Sequence, residues 1–505
     1  MDIKTILQEC EFANHQRGKC VTILGAGIAG LVAAYELERL GHQIDIMEGS
    51  PRIGGRIWTH HFGDGPGAPY GELGAMRIPG DHEYVLHYVH AMGLGDRLCK
   101  FVTIFEEHNA LLNIHGTVFR IQDAAAQALQ TRYRELFLDV RYSENTRLFA
   151  AWLKLIVDAI GSGELRECLE QDLSSHLMNK LEGLNLQPFF SPQGKTIDLH
   201  TFIKAHPDFR EQCSEALNLF LGDILVETSH DLLQLQGGMD QLTNNLAKAV
   251  KGPIKCNQEV VALRVLEDGV EVSWIEAGRL HTRHCDYVLC TIPFSVMRKM
   301  ELSGFDDDKL SAIYNIVYWP ATKVLFHCAR PFWQQDGIFG GASFSDEGIR
   351  QIYYPSIKDN SSQESVLMAS YTIGNDAAYL GKMAEQDRNL YVQNALSKLH
   401  PEIRTPGMLL DMTTIAWGNY KWSAGGCSLS WNHQPYQEIA RPQKTLFFAG
   451  EHCSKFPAWL QGSIESALQA VHNIIIHKPV TDQTTRSPLA PLGKPKTSLS
   501  LKTAI

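Results

Sequence analysis

Apolar and polar positions follow two rhythms along this chain. Residues 20–24 (CVTIL) are a short apolar run of strand length. GAGIAG follows, and 31–41 (LVAAYELERLG) carries helical spacing that stops at Gly41. Residues 43–48 (QIDIME) read as a second strand, so this region predicts a β-α-β unit. Helical spacing then dominates residues 81–234, with helices expected over 83–94, 123–140, 146–160 and 211–225. Alternation of period two takes over at 255–268, 269–278 and 280–293, and returns at 321–327, 351–354 and 365–371. Helices are expected at 305–316 and 383–399, a strand at 445–450 and a helix at 463–476. Residues 478–505, rich in Pro, Ser, Thr and Lys, read as a disordered tail. No internal repeat is visible.

Composition narrows the classes. The 505 residues are 44% hydrophobic and 20% charged, an ordinary globular balance. A net charge of −10 argues against nucleic acid or an anionic membrane as partner. No apolar run is long enough to span a bilayer. The first residues carry early acids and no apolar core of a signal peptide, and the 11 cysteines are scattered without a C-x-x-C pair. Reduced thiols and a cytoplasmic protein are the expectation, with no metal site.

The first chemistry lies in Gly25-Ala26-Gly27-Ile28-Ala29-Gly30. Between a strand and a helix, its first glycine permits a tight turn, its second a close backbone approach to pyrophosphate, and its third close helix–strand packing. The helix start at Ile28 and Ala29 offers free N–H groups to phosphate. Glu48, ending the second strand, suits a ribose hydroxyl and argues against a 2′-phosphate. The spacing does not separate NAD from FAD. Arg52-Ile53-Gly54-Gly55-Arg56, two arginines around two glycines, suggests a second phosphate contact.

From this point the sequence resembles the FAD-dependent amine oxidase family of monoamine, polyamine and L-amino-acid oxidases. The resemblance runs over about residues 18–476 and includes Gly237-Gly238-Met239, Ala449-Gly450-Glu451-His452 and the helix start Gly462-Ser463-Ile464. It implies non-covalent FAD. Gly55, Arg56, Gly74, Ala75, Met76 and Val260 would then line the cofactor, Gly450 and Glu451 would hold its ribityl chain, and Ser463 would begin a helix aimed at the flavin ring.

Within the family, Gly74-Ala75-Met76-Arg77 is similar to the L-amino-acid oxidases, in which this arginine grips the substrate carboxylate. A planar guanidinium suits that task. A structural ion pair with Glu72 is the alternative. The resemblance makes Tyr371 a second carboxylate donor and Lys323 the lysine that holds a water near flavin N5; a core tyrosine and an edge-strand lysine are the plainer readings. Trp459 falls where the family places one wall of an aromatic cage, beside Ala458. Cys427, in Gly425-Gly426-Cys427-Ser428, replaces the opposite tyrosine wall and is read as lining the pocket without a bond to flavin. No histidine aligns with the proton acceptor of some relatives; His230 is the candidate by region. Asp223, Glu227 and Asp231 would make the side-chain pocket acidic or else lie solvated on a helix.

The resulting expectation is a mixed α/β (α+β) fold. A GxGxxG Rossmann-like FAD domain would be assembled from 18–80, 235–300 and 410–476. A helical cap would span 81–234 and a β-sheet substrate domain 301–409, with an N-terminal arm at 1–17 and a tail at 477–505. The implied function is oxidation of L-amino acids of broad, large apolar preference, using O2 and giving a 2-oxo acid, ammonia and hydrogen peroxide, in a homodimer. An amine or polyamine oxidase, an amino-acid 2-monooxygenase and a non-enzymatic flavin-fold protein are the alternatives.

Overall fold

In a computed structural model the protein is described over residues 3–13, 18–65, 67–103, 106–160, 163–191, 196–215, 217–218, 221–222, 229, 231–356, 363–429 and 436–477. The tail from 478 and Asp223, Glu227 and His230 lie outside these residues; Asp231 is exposed.

Cys20–Leu24 is the middle strand of a five-stranded parallel sheet. Gln43–Met47 and Ile254–Lys255 follow on one side, Tyr287–Cys290 and Leu446–Phe448 on the other. Val21, Ile23 and Leu24 are fully enclosed, as expected for parallel strands covered on both faces. Helices Ile28–Arg39 and Leu460–Ile476 pack against each other over one face. Gly25 has φ +108, and a Cβ on Gly30 would lie 2.1 Å from the Gly25 carbonyl oxygen. The turn and the helix approach demanded of the motif are therefore both present. Lys19 fastens the sheet to the C-terminal helix: its Nζ donates to the carbonyls of Ile474, Ile475 and His477.

A four-stranded sheet, ordered Arg279–Cys285, Val270–Glu276, Glu259–Val265 and Glu301–Ser303, stands beside the first. The third sheet has seven strands, ordered Leu409–Ala416, Ala321–Cys328, Ser365–Ile373, Arg350–Tyr353, Ala342–Ser345, Leu111–Ile114 and Thr117–Arg120. Alternation along Ala321–Cys328 sends Val324 and Phe326 into the core under helix Glu385–Leu396, while Ala321 and Leu325 join the core under helix Glu144–Ile160. Lys323 lies on this strand, opposite Tyr371 of the neighbouring one.

Three segments depart from the sequence expectation. Residues 81–234 are not a helical cap alone, because Leu111–Ile114 and Thr117–Arg120 form a hairpin on the seven-stranded sheet. Its turn, His115-Gly116, has φ of 50 and 77, the doubly positive geometry of a tight hairpin, but His is a weak turn signal and hides it. Helix Glu83–Ala91 in the same segment buries Tyr84, Val85, Tyr88 and Val89 in the nucleotide-side core. Strand Leu409–Ala416, expected with the cofactor segments, pairs instead with Ala321–Cys328. Of the N-terminal arm expected over 1–17, Ile3–Ala13 is a helix that sets Ile3, Ile6 and Cys10, one helical face, into the nucleotide-side core.

Among the described residues no helix is long and apolar enough to cross a membrane, and no His, Cys, Asp and Glu group could hold a metal ion. All 11 cysteines are free thiols.

Gly30→Ala forces a methyl group into the Gly25 carbonyl. The variant is expected to lose about 3 kcal/mol of stability, read as a fall in the midpoint of denaturant unfolding at unchanged slope.

Candidate active site

One elongated cavity of about 400 Å³ runs from the glycine motif to the seven-stranded sheet. Every residue that the resemblance assigned to cofactor or substrate lies on its wall except Gly30, which is packed behind it against Gly25; Asp231 does not line it. At the nucleotide end the backbones come close: a Cβ on Gly55 would sit 3.2 Å from the Gly27 Cα. Glu48 is buried, and its carboxylate accepts the N–H groups of Ala26 at 2.7 Å and Ser50 at 2.8 Å. These bonds fix the acid at the cavity edge beside Val260 and Gly49. Arg52 is not free to seek phosphate. Its guanidinium donates to the carbonyls of Ile53, Gly55 and Ile57 and stacks 4.1 Å from the Trp58 ring centroid. It braces the loop so that Gly55 can approach Gly27.

In the middle of the cavity Arg56 meets Glu451, with Nη1 at 2.7 Å from Oε1 and 3.1 Å from the Gly426 carbonyl. The same carboxylate accepts from Ser428 N–H, Ser428 Oγ and, at 2.9 Å, Ala458 N–H. Burial pushes the Glu451 carboxyl up, but the Arg56 charge and these donors outweigh it and hold it below the ordinary range. Ala458 has φ +67, a left-handed conformation that costs a non-glycine residue roughly 1 kcal/mol. Its N–H bond to Glu451 holds it there, next to Trp459. The helix Leu460–Ile476 starts at once, and Leu460 and Ser463 turn its positive end toward the cavity. Gly462 is required in that turn, since a Cβ would lie 2.0 Å from Ser454 Oγ.

At the far end stand Arg77, Lys323, Tyr371, Cys427 and Trp459. Lys323 is only 4% exposed, which excludes the edge-strand reading. Its Nζ donates to the carbonyls of Gly74 at 2.6 Å and Glu72 at 3.2 Å, and lies 4.8 Å from the Tyr371 ring centroid. Burial draws the Lys323 ammonium well below the usual lysine range, with the Glu72 carboxylate opposing. Glu72 is itself pushed up by burial. Its carboxylate accepts from Thr59 Oγ1 and, at 2.8 Å, from Met239 N–H, so the glycine turn before Met239 serves to hold Glu72. Arg77, 9% exposed, does not take Glu72 as its partner; Nη1 donates to the Tyr353 hydroxyl at 3.2 Å. The rings of Phe101 and Trp459 each stand 6.0 Å from its guanidinium carbon. Cys427 faces Trp319 across a two-stranded ladder, and Trp319 joins Trp417 on the wall. Trp417 is fixed by Nε1–H to the Leu73 carbonyl at 2.8 Å. Sequence reasoning missed Phe101, Trp319, Tyr353 and Trp417. The aromatic run Trp417–Trp422 just before Gly425 was the signal available for the last of these.

A model of the flavin containing amine oxidoreductases matches residues 28–475. The chain belongs to this family. Over 463 residues this amine oxidoreductase is 44% identical to the flavin-dependent L-tryptophan oxidase RebO of Lentzea aerocolonigenes, spanning 90% of this chain and 98% of that one. It is 30% identical over 484 residues to an L-amino-acid oxidase of Siganus canaliculatus, spanning 90% and 85%. Among solved structures, a putrescine oxidase bound to putrescine shares the fold, with a TM-score of 0.61 at 17% identity over 91% of this chain and 99% of that one.

The cofactor of this amine oxidoreductase is FAD, and the residues present fit it. Close glycine backbones, a helix start and a buried acid occupy one end of the cavity, and a second helix start faces its middle. Glu451→Gln would leave Arg56 buried without its counter-charge. It is expected to cost about 3–5 kcal/mol and to lower flavin content, read from the flavin-to-protein absorbance ratio. Because the folded Glu451 pKa is depressed, its contribution is complete above the ordinary value of 4.5 and lost as pH falls through the lower folded value. Unfolding midpoints below pH 4.5 should therefore fall less steeply with acid in the Gln variant than in the wild type.

Proposed function

We propose that this amine oxidoreductase oxidises L-amino acids with large aromatic side chains, tryptophan foremost, to the 2-oxo acid, ammonia and hydrogen peroxide. The observation that carries the reading is Arg77: a buried guanidinium on the cavity wall, at the end where Lys323, Tyr371 and Trp459 converge. A substrate carboxylate meets there a planar pair of donors that fixes both its distance and its plane. The 44% identical relative named as an L-tryptophan oxidase supports an aromatic amino acid, as do the Trp319, Trp417 and Trp459 rings on the wall.

When bound, FAD supplies the two-electron acceptor that O2 regenerates. The chain supplies orientation. Arg77 and the Tyr371 hydroxyl grip the carboxylate; with that end fixed, Cα is held at one distance and one face. Trp459 and Cys427 border the reacting carbon and exclude bulk water. Lys323, tethered to the Gly74 and Glu72 carbonyls, orients a water at the same place. The helix start at Leu460 and Ser463 favours negative charge in the middle of the cavity. An amine oxidase of the putrescine type shares the fold but needs no anion anchor, so Arg77 favours the amino-acid reading. A 2-monooxygenase would yield the amide one carbon shorter from the same half-reaction.

The test is peroxide release from the flavin-bearing protein with L-tryptophan, D-tryptophan and tryptamine. L-Tryptophan is expected to be oxidised, with the 2-oxo acid as product, and tryptamine not. Arg77→Ala should cost roughly 3–5 kcal/mol of substrate binding, and Arg77→Lys should recover only part. Amine oxidation indifferent to Arg77 would refute the proposal.

A further inference from the structure

Tyr371 stands between two strands that pair with it differently. On one side it faces Lys323 in register, with the Lys323 Nζ 4.8 Å from its ring centroid. On the other side two residues, Arg350 and Gln351, oppose Tyr371 alone. Such a bulge bends its strand, raises the local twist and re-aims the side chain that it faces. Its first residue, Arg350, has φ +55, a left-handed conformation that glycine takes freely and a residue with a Cβ does not. A side-chain bond from each strand holds it there. Arg350 Nε donates to Asp376 Oδ2 at 2.6 Å, and the Ser370 hydroxyl, beside Tyr371, donates to the Ile349 carbonyl at 2.9 Å. Asp376 lies in the first turn of helix Asn375–Lys382, where the helix dipole favours an acid. That helix follows directly on strand Ser365–Ile373, which carries Tyr371. The ion pair therefore closes a ring from the bulge, across Tyr371, to the helix start. The Arg350 side chain is 12% exposed, so salt screens the pair only weakly. Arg166 faces the same carboxylate at 3.9 Å and Asp158 at 3.0 Å, which joins the pair to the helical segment.

We infer that Arg350 and Asp376 are positioning residues: their ion pair holds the bulge, and the bulge aims the Tyr371 hydroxyl at the substrate carboxylate. The inference rests on the proposed role of Tyr371 in gripping that carboxylate. A tyrosine has few side-chain torsions, so the place of its hydroxyl is set mainly by the backbone beneath it. A left-handed arginine persists only where its surroundings over-determine it, and here that residue is the one opposite Tyr371. Neither Arg350 nor Asp376 lines the cavity, so they act on the substrate through Tyr371. The carboxylate end of the substrate feels them and the amine end does not.

The test uses the flavin-bearing protein and two probes titrated by the change in flavin absorbance. Indole-3-propionate carries the carboxylate without the amine, and tryptamine the amine without the carboxylate. Arg350→Ala removes the ion pair and leaves a Cβ in the left-handed conformation. It should weaken indole-3-propionate roughly tenfold and raise the L-tryptophan KM to match, with kcat within about twofold and tryptamine affinity unmoved. Arg350→Gly also loses the ion pair but takes that conformation freely, and should regain most of the lost affinity. In a Tyr371→Phe protein, Arg350→Ala should weaken indole-3-propionate no further, because the hydroxyl it aims is gone. The inference is overturned by equal losses for both probes, by no loss at all, by Arg350→Gly faring no better than Arg350→Ala, or by a full further loss in the Tyr371→Phe protein. If Arg350→Ala does not retain flavin, Asp376→Asn, nearly equal in volume, is read in the same two backgrounds and decides. Tyr371→Phe alone separates the two levels: undiminished indole-3-propionate binding there would take the tyrosine off the carboxylate, and the bulge with it, while leaving the Arg77 reading to its own test.

Discussion

The carboxylate of Glu451 is the point on which the site depends. It gathers Arg56 from the first turn after the β-α-β unit, Ser428 from the strand that begins at Cys427, and Ala458 from the turn before the last helix. Three stretches far apart in sequence are thereby set at hydrogen-bond distance from one group. A buried charge tolerates little misplacement, because each lost donor exposes an uncompensated ion to low dielectric. The positions of Cys427 and Trp459, each adjacent to one of those donors, follow from it. Even the unfavourable backbone conformation of Ala458 is explained by the bond its N–H makes there.

The other half of the site hangs on a different kind of contact. Lys323 belongs to the seven-stranded sheet, while the carbonyls it holds belong to the segment that leads into Arg77. One ammonium group therefore ties the sheet to the loop that bears Arg77. Glu72 serves twice, through its carbonyl toward Lys323 and through its side chain toward Thr59 and Met239. The short stretch 72–77 is thus clamped from both sides, and a wall ordered in advance costs a ligand less on binding.

Much of this was legible because it was local. The glycine motif, its strand and helix, and Glu48 need only a few dozen consecutive residues to declare themselves, and the alternation along 321–327 announced a strand whose lysine is buried. Resemblance carried the residues that local pattern cannot, such as Glu451 and Trp459, to the same cavity. What stayed hidden was pairing at a distance. Nothing in the letters around Tyr353 or Phe101 says that they meet Arg77, which lies on another sheet's connection. Arg52 misled for the reverse reason: an arginine among glycines suggests phosphate, but the loop's own carbonyls lie nearer. The hairpin around His115-Gly116 was lost because its turn lacks the asparagine or aspartate that marks such turns.

The five-stranded sheet has a consequence for how the molecule comes into being. Its strands come from residues near both ends of the chain, with Leu446–Phe448 completing an edge begun at Tyr287–Cys290 and Cys20–Leu24. Contacts of such long sequence separation form slowly, since the chain between them must be ordered first. By itself the β-α-β unit lacks both the edge strand Leu446–Phe448 and the helix Leu460–Ile476 that covers it. Until those distant contacts form, the apolar sheet stays uncovered, and the cavity wall lacks Glu451 and the start of helix Leu460–Ile476.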